Sequence, residues 1–280
     1  MTQWFRQLTA HTLQSVMFLS RIPVWRFAPS ASSRDISFRE SAYTFALAGI
    51  FISIPAAILG AVSILLGLSP AVTSIIMFAT MALTTGALHE DGLADVCDGF
   101  WGGHTKERKL AIMRDSAIGT YGTLGLIFTV ILKIALLAQI IETLGLGAPL
   151  AFMAIAALSR AAMLHPWTTL PAARKPDAHD DDETVEDERD KSKASLASRF
   201  GAPDETTKNE RLVVALLAVG FAWLIMPWPA VLSILVCASI AVWAMNWLSM
   251  RHIGGHTGDT LGATQQMSEL GLYLGAAVFI

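Results

Sequence analysis

Long apolar runs dominate this chain and alternate with short polar connections. Such runs predict membrane-spanning helices, since about 20 apolar residues cross the hydrocarbon core of a bilayer. Six of them are present, at 42–66, 70–88, 120–141, 149–168, 211–226 and 230–249. The last run, 270–280, is too short for an ordinary span and suits a half-span or a pairing with the preceding loop, and 9–20 suits an amphipathic helix. The predicted fold is an all-α, polytopic membrane bundle of about six to seven spans.

The composition agrees with a membrane protein. Hydrophobic residues make up 53% of the 280 residues and charged residues only 15%, whereas soluble domains are about 25% charged. The net charge of −3 is uninformative, and Cys97 and Cys237 match no disulfide or zinc spacing. We expect a single membrane-embedded domain over 1–280, surrounded by lipid, with no nucleic-acid partner.

Lysine and arginine residues occupy only alternate connections between the predicted spans. The connections 67–69, 142–148 and 227–229 contain none. The others contain nearly all of them: Arg21, Arg26, Arg34 and Arg39; Lys106, Arg108, Lys109 and Arg114; eight between Arg174 and Arg211; and Arg251. Because basic residues mark the cytoplasmic side, segments 89–119, 169–210 and 250–268 are expected to face the cytoplasm.

The most distinctive polar segment, 89–99, directly follows an apolar run. It carries four carboxylates within nine residues, Glu90, Asp91, Asp95 and Asp98. On a helix the three aspartates project from one face within about 60° of each other, with Glu90 to one side. Clustered acids near a bilayer require a cation, and Mg²⁺ prefers such oxygen ligands, often while bridging phosphates. The segment predicts a Mg²⁺ site; a solvated acidic helix end is the alternative.

Two glycine-rich segments are predicted on the same side of the membrane. The first, 100–122, contains the turn Arg114-Asp115-Ser116 at the entrance to a span, where Asp115 is a candidate fifth acid. The second, 254–263, sets four glycines around Thr257 and Asp259, a pattern suited to cradling phosphate or to a plain loop. Glycines admit a ligand close to the backbone and arginines bind phosphate oxygens, although the basic residues at 106–109 suit an ordinary cytoplasmic loop.

Two basic residues lie inside predicted spans. Arg160 marks a functional site by default, because charge inside a bilayer is costly, and snorkelling to the headgroups is the alternative. Lys133 lies towards the opposite end of its span, where outward snorkelling is expected. His89 and His165 are expected to be hydrogen-bonded histidines at helix ends.

The loop 169–210 contains a block of nine acids at 177–190, which is expected to be disordered and solvated. Elsewhere, carboxylates, arginines and glycine-rich turns are predicted to meet at the cytoplasmic edge of the membrane. That combination suits phosphoryl or phosphodiester transfer, in which a metal offsets phosphate charge and a carboxylate takes a proton from a hydroxyl. The chain has no Walker A motif, serine-hydrolase elbow or zinc motif.

These segments resemble the cobalamin synthases (adenosylcobinamide-GDP ribazoletransferases) along essentially the whole chain. The resemblance rests on 18–23 (FLSRIP), 89–95 (HEDGLAD), 98–103 (DGFWGG), 113–122 (MRDSAIGTYG), Ser159-Arg160 and 254–263 (GGHTGDTLGA). The acidic stretch around 177–190 is longer than the family pattern. The resemblance implies a multi-pass inner-membrane transferase that joins adenosylcobinamide-GDP to α-ribazole or its 5′-phosphate and releases GMP, with Mg²⁺ as cofactor.

The resemblance also implies roles for the singled-out residues. The ribazole hydroxyl would attack the phosphorus next to the cobinamide side. The catalytic candidates are Asp91, Asp95, Asp98, Asp115 and Asp259; the metal ligands are Glu90, Asp91, Asp95 and Asp98; the substrate-binding candidates are Arg114, Ser116, Arg160, Arg251, Thr257 and Gly258. Either Asp115 or Asp259 would complete the metal site or act as base. A homo-oligomer would suit so large a corrinoid substrate.

Two other functions remain open at this point. CDP-alcohol phosphotransferases also carry clustered aspartates on membrane helices, but their signature has Ala-Arg after the first Asp-Gly, where this chain continues Leu93-Ala94-Asp95. An ion-coupled transporter would place its acids near the bilayer midplane, whereas these acids lie at a predicted cytoplasmic end.

Overall fold

The structure, a computed structural model, describes residues 2–24, 38–173 and 208–280. Its described residues form helices, and the one bridge among them joins Ala172 to His256. The α-helices are α1 (Thr2–Leu19), α2 (Phe38–Ser41), α3 (Phe45–Leu65), α4 (Pro70–Thr85), α5 (Leu88–Gly102), α6 (Lys106–Ile112), α7 (Thr120–Leu144), α8 (Ala148–Ala162), α9 (Leu164–Thr169), α10 (Lys208–Trp223), α11 (Trp228–Ile253) and α12 (Gly258–Ala277). The acidic block at 177–190 lies outside the described residues.

Helix ends follow local sequence signals. Ser69 caps α4, accepting the N–H of Val72 at 3.4 Å, and Pro70 occupies the first turn. Pro suits that position because it lacks the N–H that a helix start leaves unbonded. The helix ends at Gly86, whose φ of 68° lies in the left-handed region that glycine adopts without steric cost.

The predicted span 70–88 ends in a sharp bend. Ala87 also has a positive φ, 56°, and α5 leaves α4 at 89°. Arg21 covers this corner. Its backbone N–H donates to the Thr84 carbonyl at 2.8 Å, and its side chain packs so closely on Gly86 that a Cβ at Gly86 would collide with it. The bend therefore separates the apolar helix α4 from the acid-bearing helix α5.

The apolar helices agree with a membrane protein, while the number of spans stays a prediction. Among the described residues, Ala42–Leu65, the stretch Thr120–Thr169 and Trp228–Ile253 are long and apolar enough to cross a membrane, and α4 with α5 forms a bent fourth candidate. Thr120–Thr169 would measure about 75 Å as one straight helix, well beyond one bilayer core. It instead contains α7 and α8, which join at a 3-10 turn, Gly145–Gly147, and pack on each other.

The helix at the centre of the bundle is α12, which packs against α5, α7, α8 and α11. The apolar run 270–280 is therefore not a separate half-span, because most of it forms the C-terminal part of α12. Several polar residues of α12 are buried: Thr260, Thr264, Gln265, Gln266, Ser268 and Glu269. Helix α12, which carries these polar residues, is thus enclosed by its neighbouring helices.

Candidate active site

The four clustered acids lie on α5, as the pattern predicts, but they have different surroundings. Asp91 is exposed, Glu90 and Asp95 are partly buried, and Asp98 is only 9% exposed. The helix therefore turns some of its carboxylates towards solvent and others towards its neighbours.

Asp98 holds the start of α7. Its Oδ2 accepts the N–H of Gly119 at 2.7 Å, and its Oδ1 accepts the N–H of Gly122 at 2.9 Å. Helix-start N–H groups lack partners within their own helix, and a carboxylate satisfies them well. A Cβ at either glycine would collide with the Asp98 carboxylate. Both oxygens of Asp98 thus have a structural task, and its place among the metal ligands stays a prediction.

The N-terminal end of α12 lies directly against α5. A Cβ at Gly92 would come within 2.8 Å of the Asp259 carbonyl oxygen, and Gly262 faces His89 and Gly92 at ordinary contact distance. The two helices therefore cross at glycines. This crossing brings Asp259, 168 positions later in the sequence than Asp91, beside the acid-bearing helix.

The Thr-Gly-Asp turn is a helix cap. The Thr257 hydroxyl accepts the N–H of Thr260 at 3.3 Å, and the Thr260 hydroxyl accepts the N–H of Thr257 at 2.8 Å, a reciprocal capping box. Thr257 also donates to Asp259 Oδ2 at 3.4 Å. Gly258 is exposed, with open space where a side chain would lie. Thr257 thus orients Asp259, and a substrate-binding role for Thr257 and Gly258 stays a prediction.

The two cations that lie in predicted spans are buried inside the protein, so the expected snorkelling of Lys133 is wrong. Lys133 is 3% exposed and forms an ion pair with Glu269 of α12. Arg160 is 1% exposed, donates from Nη1 to the Ala156 carbonyl at 3.0 Å, and interacts electrostatically with Glu269 and Glu90. A buried carboxylate is a better partner for either cation than the distant headgroup region, which sequence position alone does not reveal.

Other predicted site residues lie on exposed surface. Arg114, Asp115 and Ser116 are exposed in the turn between α6 and α7, where Asp115 Oδ1 accepts the N–H of Ala117 at 3.0 Å. Arg251 is exposed and lies over the Trp247 ring, 5.1 Å from its centroid. The contacts of these residues are local, and their part in binding substrate stays a prediction.

Two histidines beside the site were missed by sequence reasoning. His252 stacks on Phe100 with ring centroids 4.6 Å apart, and its Nδ1 lies 2.8 Å from Lys109 Nζ. This contact gives Lys109 a partner beyond a general basic loop. His256 donates from Nδ1 to the Leu170 carbonyl at 3.0 Å, and burial lowers the pKa of this imidazole. The sequence signal that could have pointed to them is their position on either side of Gly254-Gly255, in the turn before α12.

The implied Mg²⁺ has one clear point of fit. Glu90 Oε1 accepts the Gln266 amide at 3.1 Å, while Glu90 Oε2 is buried and receives no hydrogen bond from the described residues. A buried carboxylate oxygen of this kind suits a cation. Across 2–24, 38–173 and 208–280, however, no three His, Cys, Asp or Glu side chains are arranged as a ready metal cage. The metal site accordingly stays a prediction.

Comparisons with known proteins agree with each other. A family profile described as cobalamin-5-phosphate synthase matches residues 11–277. A Sinorhizobium medicae (strain WSM419) protein named adenosylcobinamide-GDP ribazoletransferase is 38% identical over 276 residues, covering 97% of each chain. A Rhizobium etli (strain CIAT 652) protein of the same name is 40% identical over 266 residues, covering 92% of this chain and 93% of the relative. No solved structure matches the chain.

Proposed function

The chain belongs to the cobalamin-5-phosphate synthase family and is an enzyme of cobalamin biosynthesis, and from this premise we propose that it joins adenosylcobinamide-GDP to α-ribazole or α-ribazole 5′-phosphate and releases GMP. The name of its relatives, adenosylcobinamide-GDP ribazoletransferase, supports this substrate pair. The observation that carries the proposal is the crossing of α5 and α12, where Asp259 lies against the helix of Glu90, Asp91 and Asp95.

The proposed reaction is a displacement at phosphorus. The ribazole hydroxyl oxygen forms a bond to the phosphorus on the cobinamide side of the diphosphate, and the bond from that phosphorus to the bridging oxygen breaks. GMP leaves with the electron pair, and the hydroxyl proton passes to a carboxylate. Asp259 is the stronger candidate for that carboxylate, because Asp115 lies in an exposed turn with only local contacts.

The remaining site residues divide between the metal and the phosphates. Glu90, Asp91 and Asp95, with Asp98 as the fourth predicted ligand, would hold Mg²⁺, whose charge would offset that of the diphosphate and of departing GMP. Arg114 and Arg251, exposed near the same end of the bundle, would bind phosphate oxygens. The buried Arg160 would act on the carboxylates rather than on substrate.

We further propose that the enzyme is a multi-pass protein of the bacterial inner membrane with this site at the cytoplasmic edge. The support is the alternation of basic connections along the chain. A protease- or label-accessibility experiment on closed vesicles tests the orientation: a cysteine introduced at exposed Ser116 should react from the cytoplasmic side only, and reaction from the outside would reverse the assignment.

The direct test is GMP release by purified, lipid-reconstituted protein given both substrates, with and without Mg²⁺. We expect release to require both substrates and the metal. Asp95→Asn should lower kcat at least about 100-fold, since it weakens the hold on a metal ion that would contribute several kcal/mol to stabilising transition-state charge. The matched control, Glu142→Gln, removes an exposed acid from the far part of α7 and should leave kcat unchanged. Turnover of a CDP-linked lipid precursor instead would contradict the proposal, and normal Mg²⁺-dependent turnover by Asp95→Asn would contradict the metal assignment.

A further inference from the structure

A continuous line of polar contacts crosses the interior of the bundle. Lys133 of α7 donates to the Glu269 carboxylate and, at 2.6 Å, to Gln266 Oε1. Gln266 then donates from Nε2 to Glu90 Oε1 at 3.1 Å. These four residues, the buried polar chain, connect α7 and α12 with the acid-bearing helix α5. Lys133, Gln266 and Glu269 are each 3% exposed.

The buried polar chain fixes which way the Gln266 amide faces. A lysine ammonium only donates hydrogen bonds, so Gln266 must turn its oxygen towards Lys133. Its NH₂ group is then turned the other way, where one hydrogen bond goes to Glu90 Oε1 and another to Gln265 Oε1 at 2.9 Å. A flipped amide would set NH₂ against the ammonium and oxygen against a carboxylate, which makes the observed orientation the only favourable one.

The result is that the Glu90 carboxylate is held in place through one of its two oxygens. Glu90 Oε1 is held by Gln266, and Glu90 Oε2 is buried without a hydrogen bond from the described residues. We propose that Gln266, oriented by the Lys133–Glu269 pair, is a positioning residue that sets the Glu90 carboxylate so that Oε2 serves the divalent cation. This inference rests on the proposed function, because it assigns Glu90 to the metal.

Burial of so many polar groups argues for a positioning task. A buried ion pair is commonly no more stable than well-packed apolar residues of the same volume, and ionisable groups within membrane helices are costly. The neighbouring Gln265 shows the contrast, since its Nε2 donates to the Ser159 hydroxyl at 3.0 Å and has no contact with an acid of α5 among the described hydrogen bonds. Among the described hydrogen bonds, those of Gln266 connect the ion pair to Glu90 of the predicted site.

The test compares two Gln→Met variants of nearly equal volume. Gln266→Met removes the amide that holds Glu90. Gln139→Met removes an exposed amide that donates to the Ala277 carbonyl at 2.9 Å, at the other end of α12. The first readout needs no substrate: the rise in melting temperature of the detergent-purified protein when MgCl₂ is added. The second is kcat, KM for each organic substrate, and the Mg²⁺ concentration that gives half-maximal rate.

We expect Gln266→Met to need about 10–100-fold more Mg²⁺ for half-maximal rate, the usual effect of losing a group that orients a metal ligand. Its Mg²⁺-induced rise in melting temperature should shrink likewise, while KM for both organic substrates stays within about twofold of wild type. Gln139→Met should match wild type. If Gln266→Met shows an unchanged Mg²⁺ response, or loses stability with no selective change in that response, Gln266 is structural and the proposal is overturned.

Two further proteins keep the result interpretable. If Gln266→Met does not accumulate, the pair Lys133→Met with Glu269→Leu removes the groups that orient Gln266 without leaving a lone buried charge, and a normal Mg²⁺ response there would overturn the proposal. Glu90→Gln tests the premise: an unchanged Mg²⁺ response would overturn the assignment of Glu90 and the inference with it. Absence of any Mg²⁺-dependent GMP release by wild type would instead contradict the proposed function.

Discussion

Helices α11 and α12 are consecutive in the chain and packed together, yet they differ in where they carry apolar and polar residues. The outward side of α11 is apolar, with Leu232, Val236, Ile240, Trp243 and Trp247 all about half exposed or more. The buried residues of α12 include Gln265, Gln266 and Glu269. A helix next to lipid must be apolar on that side, because lipid offers no hydrogen bonds. A helix surrounded by other helices can carry polar groups, provided that its neighbours supply their partners.

The comparison makes its strongest prediction at Glu269. Glu269→Leu should destabilise the protein by about 3–5 kcal/mol, because it leaves the Lys133 ammonium buried without its counter-charge. Trp243→Leu, a change of a large exposed side chain on α11, should cost about 0.5 kcal/mol or less. Thermal or denaturant unfolding in detergent measures both. Adding Lys133→Met to Glu269→Leu should restore most of the stability, and equal losses for Glu269→Leu and Trp243→Leu would remove the distinction between the two helices.

The next effect concerns the contact between the helices themselves. A Cβ at Gly275 of α12 would lie 2.7 Å from Ile234 Cα and from the Ser233 carbonyl oxygen on α11. Backbone atoms do not move aside cheaply, so Gly275→Ala should destabilise the protein by about 1–3 kcal/mol. Gly220→Ala on α10 adds a methyl group where nothing lies within 4 Å, and should stabilise by about 0.5 kcal/mol through helix propensity. Unfolding curves of the two variants should therefore shift in opposite directions.

The sequence predicts the shell of this bundle better than its centre. Apolar runs located α3, α4, α7, α8, α10 and α11, because contact with lipid requires a long uninterrupted apolar segment. The start of α12 was not predicted, since a polar stretch of sequence is typical of a loop unless the buried partners of its side chains are known. Lys133 shows why: its partner Glu269 is 136 positions away, and no local pattern marks that pairing.

The sequence likewise predicted some features of the candidate site and missed others. The helical spacing of the acids correctly placed them on one helix, and the Thr-Gly-Asp segment does lie against that helix. The periodicity could not show that Asp98 turns to the N–H groups of Gly119 and Gly122, although glycines directly before an apolar run are consistent with such a helix-start contact. Nor could it show that Gln266 holds Glu90, because a glutamine in an unassigned segment carries no signal of its own.

The smallest predicted effect is at the turn that joins α11 to α12. Burial lowers the pKa of His256 below its reference value of 6.5, so the fold favours the neutral imidazole. A group whose pKa is lower in the folded state contributes stability above its unfolded pKa and loses it as the pH falls through the folded value. The melting temperature should therefore decline as the pH falls below about 6.5, and His256→Asn, whose side-chain amide can still donate a hydrogen bond but does not titrate, should flatten that decline. An equal pH dependence in the variant would show that the turn does not respond to the charge of His256, and that acid acts on another part of the protein.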